Sequence, residues 1–126
     1  MNKFCHETGV GLIPWAPLYR GHLARPPNSE STVRSESTKN HPMFGGITDS
    51  DHEIIKRVHE LAEKKGWKMS HVALAWIIQQ NTIPIVGFSN TSRLDEAVEV
   101  KGKKLTDEEI KYLEEPYEPK AIFGHR

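Results

Sequence analysis

The chain has 126 residues, of which 37% are hydrophobic and 27% charged, with 17 basic side chains against 17 acidic ones. That length suits one domain with a modest core, and the balance excludes disorder by composition and a surface built to seek polyanions. The lone cysteine, Cys5, can form neither an internal disulfide nor a cysteine metal cluster, so a reducing, cytoplasmic setting is expected.

The first seven residues lack the apolar core of a signal peptide, and the apolar run 72–78 is too short to cross a bilayer, so no membrane role is expected. Residues 1–8 read as the end of a helix stopped by Gly9, because glycine takes the left-handed cap position without a steric penalty. A strand is predicted over 11–18, with Pro14 and Pro17 inside it. Residues 19–48 are rich in Ser, Pro, Asn, Gly and Arg without an apolar period; a loop of that length in a small domain suggests binding.

Ser50 with Glu53 fits a capping box, and Ile54, Ile55, Val58, Leu61 and Ala62 share one helical face until Gly66 ends the segment. Ser70 is the predicted cap of a second helix running to about Gln80, so apolar from Val72 to Ile78 that deep burial is expected. The stretch 82–87, TIPIVG, reads as a strand buried on both faces of a parallel sheet. A turn and a helix starting near Ser92 follow. A final helix opens at Thr106, with Glu109 completing a capping box and Leu105 stapling against Ile110, and runs to about Glu115. The tail, 116–126, looks irregular from Tyr117 onward.

This order is a β-α-β rhythm with no internal repeat. Two parallel strands leave two open edges and too little surface to cover helices this apolar, so the chain reads as part of something larger. The stretch from His52 begins like a zinc-binding H-E-x-x-H helix but places Lys56 where the second ligand is required, so no metal site is expected. Dinucleotide-fold glycine, nucleophile-elbow and phosphate-loop signatures are absent from the sequence. Residues 52–80 form a helix, a glycine turn and a helix. The second helix offers Val, Ala, Leu, Trp and Ile rather than base-reading side chains, which argues against nucleic acid.

Several segments resemble the aldo-keto reductase superfamily. "WAPLYRG" (15–21) is similar to its W/Y-S-P-L-x-x-G segment and "PIVGFSNTSRLDEA" (84–97) to its P-I-x-G-x-S/R-x-x-x-x-L-x-E-N segment. "SHVALAWIIQQNTIPIVG" (70–87) resembles its penultimate helix and last barrel strand, and "LTDEEIKYLEEPY" (105–117) its C-terminal helix. The likeness spans nearly all of 1–126 and is nearest the aryl-alcohol-dehydrogenase-like reductases and potassium-channel beta subunits. It implies an α/β fold, the C-terminal part of a (β/α)8 TIM barrel, with the two strands here corresponding to the seventh and eighth. It also implies NADP(H) as cofactor and a small carbonyl or aryl alcohol as substrate. Such barrels bind ligands at the C-terminal ends of their strands and often hold phosphate in the loops after the last two, which is where both strands here end.

Residue by residue, the resemblance places Trp15 where an aromatic ring stacks on the nicotinamide; a core tryptophan is the alternative. Pro17, Leu18, Tyr19 and Arg20 match positions that contact the pyrophosphate chiefly through backbone, and Gly21 lets that backbone approach. Arg25 and Arg34 would clamp phosphates, in register only to within a residue, with solvated loop arginines as the alternative. Gly87 lies in the second cofactor segment, and Ser89 and Arg93 match the 2′-phosphate site, where a guanidinium offers forked donors. Glu96 matches the carboxylate that accepts from the adenine amino group, or is a solvated helix residue. Ala16 and Ala97 stand where members often carry Ser and Asn, so a polar contact is expected to be lost at each.

The family's Asp, Tyr, Lys and His tetrad has no counterpart in this sequence, so no catalytic residue is assigned. A full barrel takes about 250 residues. The expectation is therefore a C-terminal portion of an NADP(H)-dependent carbonyl reductase, poorly folded and inactive alone. The alternative is a non-catalytic NADP(H)-binding or barrel-interacting module.

Overall fold

A computed structural model of the chain describes residues 2–27, 29 and 46–120. Helix α1 spans Asn2–Thr8, and Gly9 follows it with φ of +72°. The Val10 N–H donates to the Cys5 carbonyl at 3.0 Å, the long closing bond of a glycine-terminated helix. Two extended stretches, 12–15 and 82–85, then lie side by side in parallel, bridged at Leu12 with Thr82 and at Trp15 with Ile85. Their ladder consists of Ile83 N–H to Leu12 C=O at 2.8 Å and Ile85 N–H to Pro14 C=O at 3.0 Å. Pro14 is tolerated because the pairing uses only its carbonyl.

The predicted strand over 11–18 is therefore too long. Pairing stops at Trp15, residues 17–18 turn, and a 3₁₀ turn occupies Tyr19–Ala24, inside what the sequence suggested was loop throughout. Residues 30–45 of that loop and 121–126 of the tail lie outside the described residues.

Helix α2 is Asp49–Lys65 and ends in left-handed Gly66. Its cap is Thr48 with Asp51, not Ser50 with Glu53 as the sequence suggested. Both pairs satisfy the same spacing, but Ser50 is spent on the Pro116 carbonyl and Glu53 on Arg57, one turn on. Helix α3 is Met69–Gln79, and Lys68 rather than Ser70 sits at its N-cap, without a side-chain bond. Helix α4 is Thr91–Val98, capped by Asn90. Helix α5 is Asp107–Glu114, and the Thr106–Glu109 box forms as the sequence predicts.

The core lies among the helices. Ile55, Val58, Leu61 and Ala62 of α2 meet Met69, Val72 and Ala75 of α3, closed by Leu105 and Leu113, with Leu23 and Ile110 packed alongside. Each fully buried aliphatic side chain contributes about 1.5–3 kcal/mol. Gln79 adds a two-way clamp, its side chain accepting from the Leu105 N–H at 2.7 Å and donating to the Leu105 carbonyl at 3.0 Å. Burial of α3 stops at Ala75, short of the expectation, since Trp76 and Ile77 are half-buried and Ile78 is exposed.

The strand pair is covered on one face only. Leu12, Pro14, Thr82, Pro84 and Val86 are half-buried, whereas Ile13, Trp15, Ile83 and Ile85 point the other way into the open. The second stretch is thus not buried on both faces: Ile83 is 70% exposed and Ile85 53%. An eight-stranded barrel is not formed by this chain, which supplies two parallel extended stretches among the described residues.

Candidate functional site

The two extended stretches run parallel, and Trp15 stands at the end of the first while Gly87 and Ser89 follow the second. Trp15 closes the first stretch opposite Ile85 and is 70% exposed, on the open face. The chain then makes an unusual turn. Ala16, Tyr19 and Arg20 take φ of +53°, +47° and +56°, followed by Gly21 at +96°. Left-handed backbone costs a non-glycine residue about 1–2 kcal/mol, so three such residues in five need contacts that hold them.

Some of those contacts are in the backbone. The Tyr19 N–H donates to the Ala16 carbonyl at 2.9 Å, and the Leu18 carbonyl accepts from Gly21 at 2.8 Å and Leu23 at 3.3 Å. The Arg25 guanidinium lies over Gly21, where a Cβ would come within 2.8 Å of it. Gly21 therefore serves a positive φ and a close approach, although the group that approaches is Arg25. The Tyr19 ring packs beside His22, centroids 5.3 Å apart, with the Arg20 guanidinium 5.5 Å from its centre. Burial, together with the positive charges of Arg20 and Arg25, holds the His22 imidazole below its usual pKa against the pull of Asp51.

The second stretch delivers a separate group. Gly87 is exposed, and beyond it Asn90 caps α4 by accepting from the Arg93 N–H at 2.9 Å. The Arg93 guanidinium donates to the Ser89 hydroxyl at 3.1 Å, so the two residues expected to act together are in contact and solvent-facing. Arg93 thus presents a fixed guanidinium in the first turn of α4, where the helix dipole also favours an anion.

Glu96 is placed differently. Its carboxylate accepts from the Ser70 hydroxyl and from Lys68 Nζ at 2.9 Å, tying α4 to the start of α3. The Ser70 hydroxyl first, with Lys68 behind it, holds the Glu96 carboxyl below its usual pKa although burial opposes this. Pro17 and Leu18 form the turn itself, and Arg34 lies outside the described residues.

Two further residues, Asp51 and Lys120, meet beside the turn. One Asp51 oxygen accepts from the Thr48 N–H at 2.9 Å, the Thr48 hydroxyl at 3.0 Å, the Tyr19 hydroxyl at 3.5 Å and Lys120 Nζ. Asp51 could have been suspected as the alternative capping-box acid. Lys120 could not, since 69 residues separate it from Asp51.

Residues 1–118 match the Aldo/keto reductase family. Among similar curated proteins, an aldo-keto reductase of Fusarium vanettenii is 46% identical over 126 residues, covering 99% of this chain and 34% of its own length. A versiconal hemiacetal acetate reductase of Aspergillus parasiticus is 49% identical over 97% of this chain and 36% of its own length. A putative aryl-alcohol dehydrogenase of Saccharomyces cerevisiae is 39% identical over 92% of this chain and 34% of its own length. The chain thus spans about a third of the length of the relatives it matches.

Proposed function

The chain belongs to the aldo/keto reductase family, and from that premise we propose that it is the C-terminal portion of an NADP(H)-dependent oxidoreductase that reduces small aldehydes or ketones to alcohols. In this reading the chain supplies roughly half the cofactor site and is inactive by itself. The observation that carries the proposal is that the first stretch ends in an exposed Trp15, bridged to Ile85, while the second leads to an Arg93 guanidinium that donates to the Ser89 hydroxyl.

The donor set fits a phosphorylated dinucleotide. Trp15 offers a flat apolar face for the nicotinamide. The left-handed turn from Tyr19 to Gly21, with Arg25 against it, offers backbone and cationic groups to the pyrophosphate. Arg93 and Ser89 offer forked and hydroxyl donors to the 2′-phosphate. The bound nicotinamide would supply the hydride; the chain's own part is to orient the ring and neutralise the phosphates. Proton transfer to the carbonyl would fall to residues that this sequence does not contain. A cytoplasmic location accords with the single cysteine, and among the described residues no helix is long and apolar enough to cross a membrane.

The test is a chimera in which residues 1–126 replace the matching third of the Fusarium vanettenii relative, assayed for NADPH oxidation with an aromatic aldehyde. The chimera is expected to turn over and the isolated chain to be silent. Arg93→Ala should raise KM for NADPH about 10-fold or more and leave KM for NADH nearly unchanged, the effect of losing one charge-assisted phosphate contact. Carbonyl-dependent NADPH oxidation by the 126-residue chain alone would refute the division of labour.

The open face of Ile13, Ile83 and Ile85 favours a second reading, a non-catalytic module that binds NADP(H) or seats on another barrel. NADPH binding without turnover in the chimera would favour that reading.

A further inference from the structure

The strained turn beside the candidate cofactor site is held from the far end of the chain. Three contacts bring the tail across it. The Ser50 hydroxyl donates to the Pro116 carbonyl, Lys120 Nζ meets the Asp51 carboxylate, and the same ammonium lies 5.7 Å from the centre of the Tyr19 ring. Asp51 is the node, because it also accepts from the Tyr19 hydroxyl and closes the cap of α2. Tyr19, one of the residues in left-handed backbone, therefore has a side-chain tether that runs through Asp51 to Lys120.

We infer that Lys120 is a positioning residue for the proposed cofactor site: through Asp51 and the Tyr19 ring it fixes the turn at 19–24 in the conformation that faces the pyrophosphate. The geometry suits this role. Lys120 is an ammonium on a flexible stem, so it can bridge a carboxylate and an aromatic face at once. Asp51 does not depend on it for its capping bonds to Thr48, so the tail can be released without unravelling α2. The neighbouring charges are mostly positive, with Arg20 and Arg25 close to His22, so Asp51 is the anion that gives Lys120 a reason to stay. The inference rests on the cofactor reading for its consequence but not for its contact.

The experiment takes the chimera described above as the parent chain and compares it with its Lys120→Ala and Lys120→Arg variants by hydrogen exchange and by NADPH titration through Trp fluorescence. Exchange at the Gly21 and Leu23 amides should rise about 5-fold or more in Lys120→Ala and return most of the way in Lys120→Arg, with exchange in α3 unchanged. Raising salt from 0.05 to 0.5 M should speed the same amides in the parent chain and leave Lys120→Ala unaffected, as an ion pair requires. The NADPH dissociation constant should rise several-fold in Lys120→Ala. An unprotected turn in the parent chain, or exchange indifferent to Lys120→Ala, overturns the tether. Exchange that responds while NADPH affinity stays constant overturns the positioning role. Exchange that responds while no form binds NADPH sinks the cofactor reading, and the positioning role with it, but leaves the contact standing.

Discussion

Replacing Ser70 by alanine separates two accounts of Glu96. The Ser70 side chain is buried, with the residue 4% exposed, and its hydroxyl donates to the Glu96 carboxylate across the α3–α4 contact. A hydrogen bond to a charged group contributes about 1.5–3 kcal/mol, and the partly open carboxylate argues for the lower end, about 1.5 kcal/mol. Lys68, on the exposed side, adds little. For a chain of this length 1.5 kcal/mol lowers the thermal midpoint by roughly 5 °C.

The sign with pH follows from the bond. The Glu96 carboxyl is held below its usual pKa, so its stabilising contact is present above the unfolded value and is lost as pH falls through the folded one. The Ser70→Ala penalty should therefore be full at pH 7 and shrink below about pH 4. A double-mutant cycle with Glu96→Gln, read by urea unfolding at both pH values, isolates the pair. A coupling near zero at pH 7 would refute the structural role and return Glu96 to the adenine. A coupling of about 1 kcal/mol or more that fades in acid supports it.

The open face gives a prediction of opposite character. Ile83→Thr and Ile85→Thr should each change the unfolding free energy in urea by less than about 0.5 kcal/mol, whereas Val58→Ala in the core should cost about 1.5–3 kcal/mol. Equal costs would mean that the face is already covered, and sedimentation of the parent chain would then show what covers it. At the other end of the chain, Thr106→Ala should cost about 1 kcal/mol, because the Thr106 hydroxyl accepts from the Glu109 N–H at 3.2 Å and closes one half of a capping box. A Thr106→Ala chain that unfolds at the parent's urea midpoint would show that the box does not matter there.

Local signals survived into the structure where one choice satisfied them. Gly9 and Gly66 end helices in left-handed backbone, and Thr106 with Glu109 caps α5, because each is the first residue at its helix end that offers the required chemistry. At the start of α2, Thr48–Asp51 and Ser50–Glu53 obey the same capping rule two residues apart. The choice between them is tertiary: Ser50 reaches Pro116, 66 residues on. Likewise Ser70 looked like a cap since serine prefers that place. Inside α3 it has a stronger partner in Glu96, and Lys68 takes the cap without a side-chain bond. The strand predicted over 11–18 is overlong because apolar residues continue through Leu18, while the ladder uses carbonyls of the first stretch as acceptors and the next one, of Ala16, accepts from the Tyr19 N–H of the turn instead.

The candidate site divides the same way. Motif and strand end mark Trp15, Ser89 and Arg93 as candidates in the sequence, but what the other candidate groups would do depends on which neighbours reach them first. With Ser70 and Lys68 on its carboxylate, Glu96 has less to offer an adenine amino group, and Ala97 beside it offers nothing polar. Under the cofactor reading the adenine end is therefore the weak one. Affinity then falls on the phosphates, which face Arg93 at one strand end and the left-handed turn at the other. A turn that carries such a share must not drift, since a donor displaced by about an ångström loses most of its hydrogen-bond energy. The proposed tether would meet that requirement: Tyr19, in strained backbone, touches an anion on α2 that in turn holds a lysine from the tail, elements that touch no cofactor in this reading themselves.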